Sequence, residues 1–446
     1  MSDKHYKIRN LTVGIFFILL FYSAALKAND ELLTLESAIQ MALSRNERAM
    51  AADEQLAAAQ SRVARARAYF MPSLSASGTY TRRPFEVTRG ISGGQQIVVQ
   101  KLNAYSGLAL LNLTIFDSRG LPALLQASSE RKAETYAAAE SKRQLAFEVS
   151  NAFLTTLSVE QVLEASMHRF EYAKQALEAA KARYAAGLVS INDVTRAELE
   201  YATAEMGITQ VKGQLTTSYL QLGYLLDDKE VLQKKLEVPE FLLQAAANNP
   251  AAAEQLISEA QERRLDLGSL RWHAKGQQAL VVEPILKWLP SLAFTGQYRY
   301  TNEAGLTGRS TNWNLALTAT WSIFDGFTRN ADYKERKALA VLADLDVKSA
   351  MRSVELDVRD ALVSLTNQQA SLKQATVAHE VAKRNAVQIA ELYRQGLATA
   401  LQVADANVSL FEAEVELVRQ RYGLAIAYLN LEAALGLSPF GKEPTL

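Results

Sequence analysis

The residue types that could carry chemistry in this sequence are few and badly placed for catalysis. The histidines are His5, His168, His273 and His379. His5 falls in an N-terminal targeting segment. The other three fall in helical stretches and are expected to lack acidic or histidine partners at ligand spacing, which favours solvated or interfacial positions over zinc binding. Carboxylate pairs such as Glu412 and Glu416 read as the polar face of a helix, and no nucleophile stands beside a base. Gly90, Gly93 and Gly94 would cradle a phosphate only ahead of a helix N-terminus. No helix follows them at once, so they read as a surface loop. Cysteine is absent, which removes disulfides, thiol catalysis, Cys-based metal sites and N-terminal lipid attachment to cysteine. The sequence points away from an enzyme and calls for no cofactor and no metal.

Charge narrows the choice further. Lys and Arg number 48, Asp and Glu 48, over 446 residues, and the two signs alternate along the whole length. A nucleic-acid binder needs a basic stripe, and there is none. Nine prolines in a chain rich in Ala, Leu, Glu, Gln and Arg indicate long helices. At the N-terminus, Lys4, Lys7 and Arg9 precede an apolar run from Leu11 to Ala25, and Ala28 offers a small-residue cleavage point. That run is shorter than the ~20 residues of a spanning helix, so residues 1–28 are expected to be a cleaved signal peptide.

The elements that would position any functional residue come twice. Tyr184-Ala185-Ala186-Gly187-Leu188 recurs as Tyr393-Arg394-Gln395-Gly396-Leu397, Ile115-Phe116-Asp117 as Ile323-Phe324-Asp325, and Pro72-Ser73-Leu74 as Pro290-Ser291-Leu292. The offsets are about 209, 208 and 218 residues, so order is kept and a loop changes length. The first repeat is expected over 29–236, a linker over 237–250, the second repeat over 251–438 and a tail over 439–446. Each repeat reads helix, two strands, very long helix, glycine break, helix. Leu145, Val149, Ala152, Thr156, Val159 and Leu163 step alternately by four and three, a coiled-coil seam. Val354, Val358, Ala361, Leu365, Gln368 and Leu372 repeat it. Ser118 to Ala186 would span ~100 Å as a helix, matched by the opening helix from Leu32 to about Ala68 stacked on Ile191 to about Leu226. Asp325 to Gln395 balances Ala253 to Leu286 plus Ala400 to Leu435 in the same way.

The strands lie between the opening and long helices. Trp313, Leu315, Leu317, Ala319, Trp321 and Ile323 alternate with small or polar residues, as do Leu292, Phe294, Gly296, Tyr298 and Tyr300. Leu74–Thr81 and Tyr105–Phe116 alternate less cleanly. Such a period suits a membrane barrel, although a soluble sheet with one buried face produces a similar pattern. Four strands cannot close a barrel, and lipid tolerates no open edge. Several copies are therefore expected, and a lumen favours at least three.

The duplicated plan, with Pro-Ser-Leu opening one strand, Ile-Phe-Asp closing the next, Tyr-x-x-Gly-Leu at each helix break and Leu435-Gly436-Leu437 near the end, resembles the TolC family of outer-membrane efflux proteins. The resemblance runs from about Leu32 to Pro439. It implies a mainly α fold with a small β part: a homotrimer whose helical hairpins form a periplasmic α-barrel and whose chains each give four strands to a shared transmembrane β-barrel in outer-membrane lipid. The implied function is the exit duct of a tripartite efflux system, passively conducting drugs or other small molecules delivered by a periplasmic adaptor and an inner-membrane pump. A channel for type I protein secretion, served by an ABC exporter, is the nearest alternative; a pore-less periplasmic coiled-coil scaffold is a second. The resemblance also assigns residues. Gly187, Leu188, Val189 and Ser190, with Gly396, Leu397, Ala398 and Thr399, correspond to tips that meet the adaptor, while the glycines alone would serve as ordinary helix ends. Gln402 and Asp405 correspond to two acidic positions at the pore entrance, so a single carboxylate ring is expected to set selectivity. Asp193 and Tyr393 match gate residues, but Ala398 stands where the family's latch has Arg; Arg394 or Arg196 could substitute.

Overall fold

The computed structural model describes residues 32–90, 94, 96–304 and 308–443. The expected signal peptide, Gly93 and the last three residues of the tail lie outside the described residues. The opening helix forms as two, α1 (Leu35–Arg45) and α2 (Glu47–Ala68). Asn46 divides them: its backbone is extended (φ −69°, ψ 133°) and its side chain accepts from the Arg48 amide. Asparagine is a strong N-cap, and that local bond overrides the helical period. Strand β1 (Ser73–Arg82), a small hairpin of β2 (Val87–Gly90) and β3 (Gln96–Gln100), and β4 (Asn103–Phe116) follow. Helix α3 (Gly120–Ala185) runs for 66 residues, and α4 (Ile191–Leu226) returns after the glycine break.

The stretch expected as a linker carries α5 (Glu240–Ala246). The expected second opening helix forms as three, α6 (Ala253–Arg263), α7 (Leu265–Leu280) and α8 (Val282–Leu286). The first break falls at Arg264 (φ −59°, ψ 124°), whose guanidinium is held at 2.7 Å by both Asp266 and Asp357. Strands β5 (Ser291–Thr301) and β6 (Thr311–Thr320) then lead into α9 (Thr328–Arg394, 67 residues) and α10 (Ala400–Ala434). Strand β6 stops short of Trp321 and Ile323, which the alternation had included. The Trp321 indole instead donates to the Trp288 carbonyl at 3.1 Å. Buried Arg329 takes the Ile323 and Lys287 carbonyls, pairs with Asp325 at 2.8 Å and lies 4.0 Å from the Trp288 ring centre. Those tertiary bonds turn the chain out of the ladder.

The four long strands form one antiparallel sheet in the order β1-β4-β5-β6. Strands β1 and β6 are its edges. In the single chain Leu74 is 76% exposed, Trp313 68% and Leu317 64%, so the apolar residues of the edge strands have no core to enter.

The described chain divides into two compact units. One holds 43–148, 245–372 and 423–446, including the sheet. Its core gathers Leu256, Ile257, Leu267, Val354, Val358, Leu365, Leu424 and Leu431, so four residues of the seam expected on α9 (Val354, Val358, Ala361, Leu365) are buried. Gly423 lets α10 pass the Gln368 side chain, whose Nε2 would stand 2.6 Å from an added Cβ. The other unit holds the described residues up to Ala42, 149–244 and 373–422. Phe153, Leu154, Leu222, Leu226 and Leu242 are fully buried in it. Thr156, the polar exception in the first seam, is buried and donates to the Ala152 carbonyl at 2.8 Å. Tyr219 donates to Glu160 and to the Lys234 carbonyl. Burial pushes the Glu160 carboxyl above its ordinary value, and the Tyr219 bond and nearby Lys235 only partly offset it.

Candidate functional site at the hairpin tips

Both long helices end the same way. Gly187 (φ +74°) and Gly396 (φ +77°) adopt the left-handed conformation that side chains disfavour. Leu188 N then donates to Arg183 O at 2.9 Å, and Leu397 N to Leu392 O at 2.8 Å. These six-to-one bonds satisfy carbonyls that a helix end would otherwise orphan. They also throw the next residue outward: Leu188 is 74% exposed and Leu397 72%. An isolated exposed leucine is ordinary, but two at matching turns present a repeated apolar knob.

The returning helices start with matching caps. Asp193 Oδ2 accepts from the Ser190 amide at 3.2 Å, and Asp193 N donates to Ser190 O at 3.1 Å. At the second tip Gln402 Oε1 accepts from the Thr399 amide at 2.9 Å, and Gln402 N donates to Thr399 Oγ1 at 3.3 Å. Both are capping boxes, in which the third helical residue reaches back to the cap. Val189 and Ala398 fill the turns between glycine and cap.

The remaining expected site residues fall at the same end of this unit. Asp193, Arg196 and Tyr393 line one cavity of about 70 Å³, with Arg169, Tyr172 and Glu200. Its other walls are mainly alanine, which lets α3, α4, α9 and α10 approach closely. Arg169 pairs with Glu200 at 2.8 Å and lies 4.8 Å from the Phe411 ring centre. Arg394 does not join this group: it is 70% exposed and pairs with Glu391 on its own helix at 2.9 Å. Asp405 is exposed, with no hydrogen bond or ion pair among the described residues. One residue was missed. The Arg183 guanidinium lies 4.3 Å from the Tyr393 ring centre, a cation–π contact between the ends of α3 and α9. Nothing local in the sequence pairs two residues so far apart, although Arg183 directly precedes the Tyr-x-x-Gly motif.

Duplicated hairpins with exposed tips, joined in sequence to a two-edged sheet, define the class: a long-helix outer-membrane channel. The chain belongs to the outer membrane efflux protein family, whose sequence pattern matches residues 38–226 and 256–437. It is thus an outer-membrane protein of a channel family rather than an enzyme. The outer membrane protein TolC of Escherichia coli strain K12 is 26% identical over 400 residues, covering 85% of this chain and 77% of that protein. TolC of Vibrio cholerae is 25% identical over 313 residues, covering 69% and 70%. The Campylobacter jejuni CmeC outer membrane channel shares the fold with a TM-score of 0.76 at 16% identity, covering 100% of this chain and 94% of that one.

Proposed function

We propose that three copies of this chain form the exit duct of a tripartite efflux system. The duct passively conducts drugs or other small molecules from a periplasmic adaptor and inner-membrane pump to the exterior. The observation that carries this reading is the sheet. Four strands with exposed apolar faces and two free edges are unstable in lipid until other copies close them. Two copies would give eight strands, whose interior side chains fill; three give twelve and room for a lumen. Residues 29–236 and 251–438 are then the repeats that supply the periplasmic helices, with 237–250 connecting them, 1–28 as leader and 439–446 as tail.

In this reading Gly187–Ser190 and Gly396–Thr399 are the adaptor contacts, through the knobs Leu188 and Leu397. Asp405 supplies a ring of three carboxylates at the entrance, with neutral Gln402 beside it. The gate rests on Tyr393 held by Arg183, since Asp193 is engaged in its cap and Arg394 with Glu391; Arg196 faces the same cavity. Purified protein should show a native mass in detergent of about three mature chains and conduct ions in a planar bilayer. A detergent-free, monodisperse monomer overturns the proposal. Deletion that stops export of a protein but leaves drug resistance unchanged would reassign the cargo.

A further inference from the structure

The tip-bearing unit contains a second cavity, of about 180 Å³, onto which two histidines and two glutamates open. Glu164 and His168 come from α3, His379 from α9 and Glu414 from α10. The sequence reading gave His168 no ligand partner, yet Glu164 precedes it by one helical turn. That spacing sets two side chains on one helix face and is the spacing by which a helix chelates a metal ion. His379 is mostly buried: its side chain is 17% exposed, with Nε2 3.9 Å from Glu414 Oε1 and Nδ1 4.0 Å from Glu380 Oε1. Both gaps are too long for hydrogen bonds. Two ligands at ~2.0–2.1 Å from a tetrahedral ion stand roughly 3.3 Å apart, so His379 and Glu414 must close by only about half an ångström to share one.

We propose that this cavity binds a divalent transition-metal ion of the zinc, cobalt and nickel class, with His379, Glu414, His168 and Glu164 as ligands. As the side chains lie, no group of three donors among the described residues is already assembled. The α3 pair would complete the site by side-chain rotation: Glu164 and His168 are exposed and make no hydrogen bond or ion pair among the described residues. Imidazole with carboxylate suits these ions, whereas calcium and magnesium prefer oxygen alone. Two carboxylates neutralise the ion's charge. Ala165, buried, and Gln161, Leu417 and Val418, half-buried, complete the lining. The bound ion would clip α3 to the hairpin of α9 and α10, adding stability by linkage. It is a resident ion, independent of what the channel conducts.

Tag-free, full-length protein in detergent, stripped with a chelator and dialysed, should be titrated with zinc chloride by calorimetry. Saturable binding of about one ion per chain is expected, lost in His379→Ala and in His168→Ala and kept in His273→Ala. Cobalt should give the visible absorption of a tetrahedral site in the parent protein and not in His379→Ala. Circular dichroism checks that each variant folds. If His379→Ala does not fold, Glu164→Gln and Glu414→Gln on the helix surfaces replace it and should each weaken binding. Absence of saturable binding in the parent, or undiminished binding in the variants, overturns the proposal.

Discussion

The two hairpin tips share a backbone and differ in chemistry. Each has a left-handed glycine, a six-to-one bond, an exposed leucine and a capping box. Yet the box closes with charged Asp193 in the first and neutral Gln402 in the second, and Arg183 of the first helix corresponds to Leu392 of the second. The same divergence recurs away from the tips. Glu160, which accepts from Tyr219, corresponds to Gln369, whose amide donates to Ala246 and Asn248 carbonyls. Duplication has kept what turn geometry demands and released what it does not. The shared features should therefore answer to one mutation pattern at both tips, and the divergent ones to different patterns.

The shared leucines offer the largest test. Leu188→Asp with Leu397→Asp should raise drug susceptibility to that of a deletion strain while the trimer and its membrane location persist. If either single variant alone does as much as the pair, the tips are not equivalent knobs. The divergent acids come next. At an effective dielectric of ~20, a unit cation ~5 Å from one carboxylate gains about 3 kcal/mol, less after screening by salt. Asp405→Asn should thus relieve block of conductance by a trivalent cation and weaken cation selectivity. Gln402→Asp should tighten the block without loosening the helix start, because Asp193 already closes a box at the equivalent place.

Smaller effects sharpen the comparison. Ser190→Ala and Thr399→Ala should each destabilise the local helix start by about 1 kcal/mol, read as faster hydrogen exchange in the first turns of α4 and α10; unequal losses would break the equivalence of the caps. The cation–π contact joins the tips asymmetrically, with Arg183 from the first and the Tyr393 ring from the second, and is worth about 0.5–1 kcal/mol. Arg183→Gln should raise open probability roughly two- to fivefold, Tyr393→Phe should leave it unchanged because the ring face remains, and Tyr393→Leu should match Arg183→Gln. Last, burial raises the Glu160 carboxyl, so the folded state binds that proton more tightly than the unfolded chain does. The stability it contributes is present below the ordinary carboxylate value and lost as pH rises through the raised one. Glu160→Gln should flatten that part of the stability–pH curve, whereas Gln369→Asn should leave the curve's shape alone.

The long helices were legible because one face repeats with a single polar exception in each seam: Val354, Val358, Ala361 and Leu365 are the residues that end up buried. Gly187 and Gly396 were legible because glycine takes the left-handed backbone of a helix end at least cost. The capping role of Gln402 was also written locally, as Thr-x-x-Gln ahead of a helix. Other features had no local signal. The break at Arg264 accompanies ion pairs that include Asp357, distant in sequence, and the early end of β6 depends on Arg329 and Trp288 gathering carbonyls from two segments. The contact of Arg183 with Tyr393 joins opposite repeats, so periodicity within either one is silent about it.

The free edges of β1 and β6 carry a consequence for the life of the newly exported chain. Until copies meet, each one carries two ready templates for strand addition, whose unpaired N–H and C=O groups lipid cannot satisfy, beside apolar surface that water disfavours. Maturation of the membrane part then depends on encounter frequency, and its rate should rise more steeply than linearly with the amount of chain exported. At low expression the edges wait longest. There, misdirected pairing and proteolysis compete with closure, so a modest fall in supply should remove a disproportionate share of finished channels.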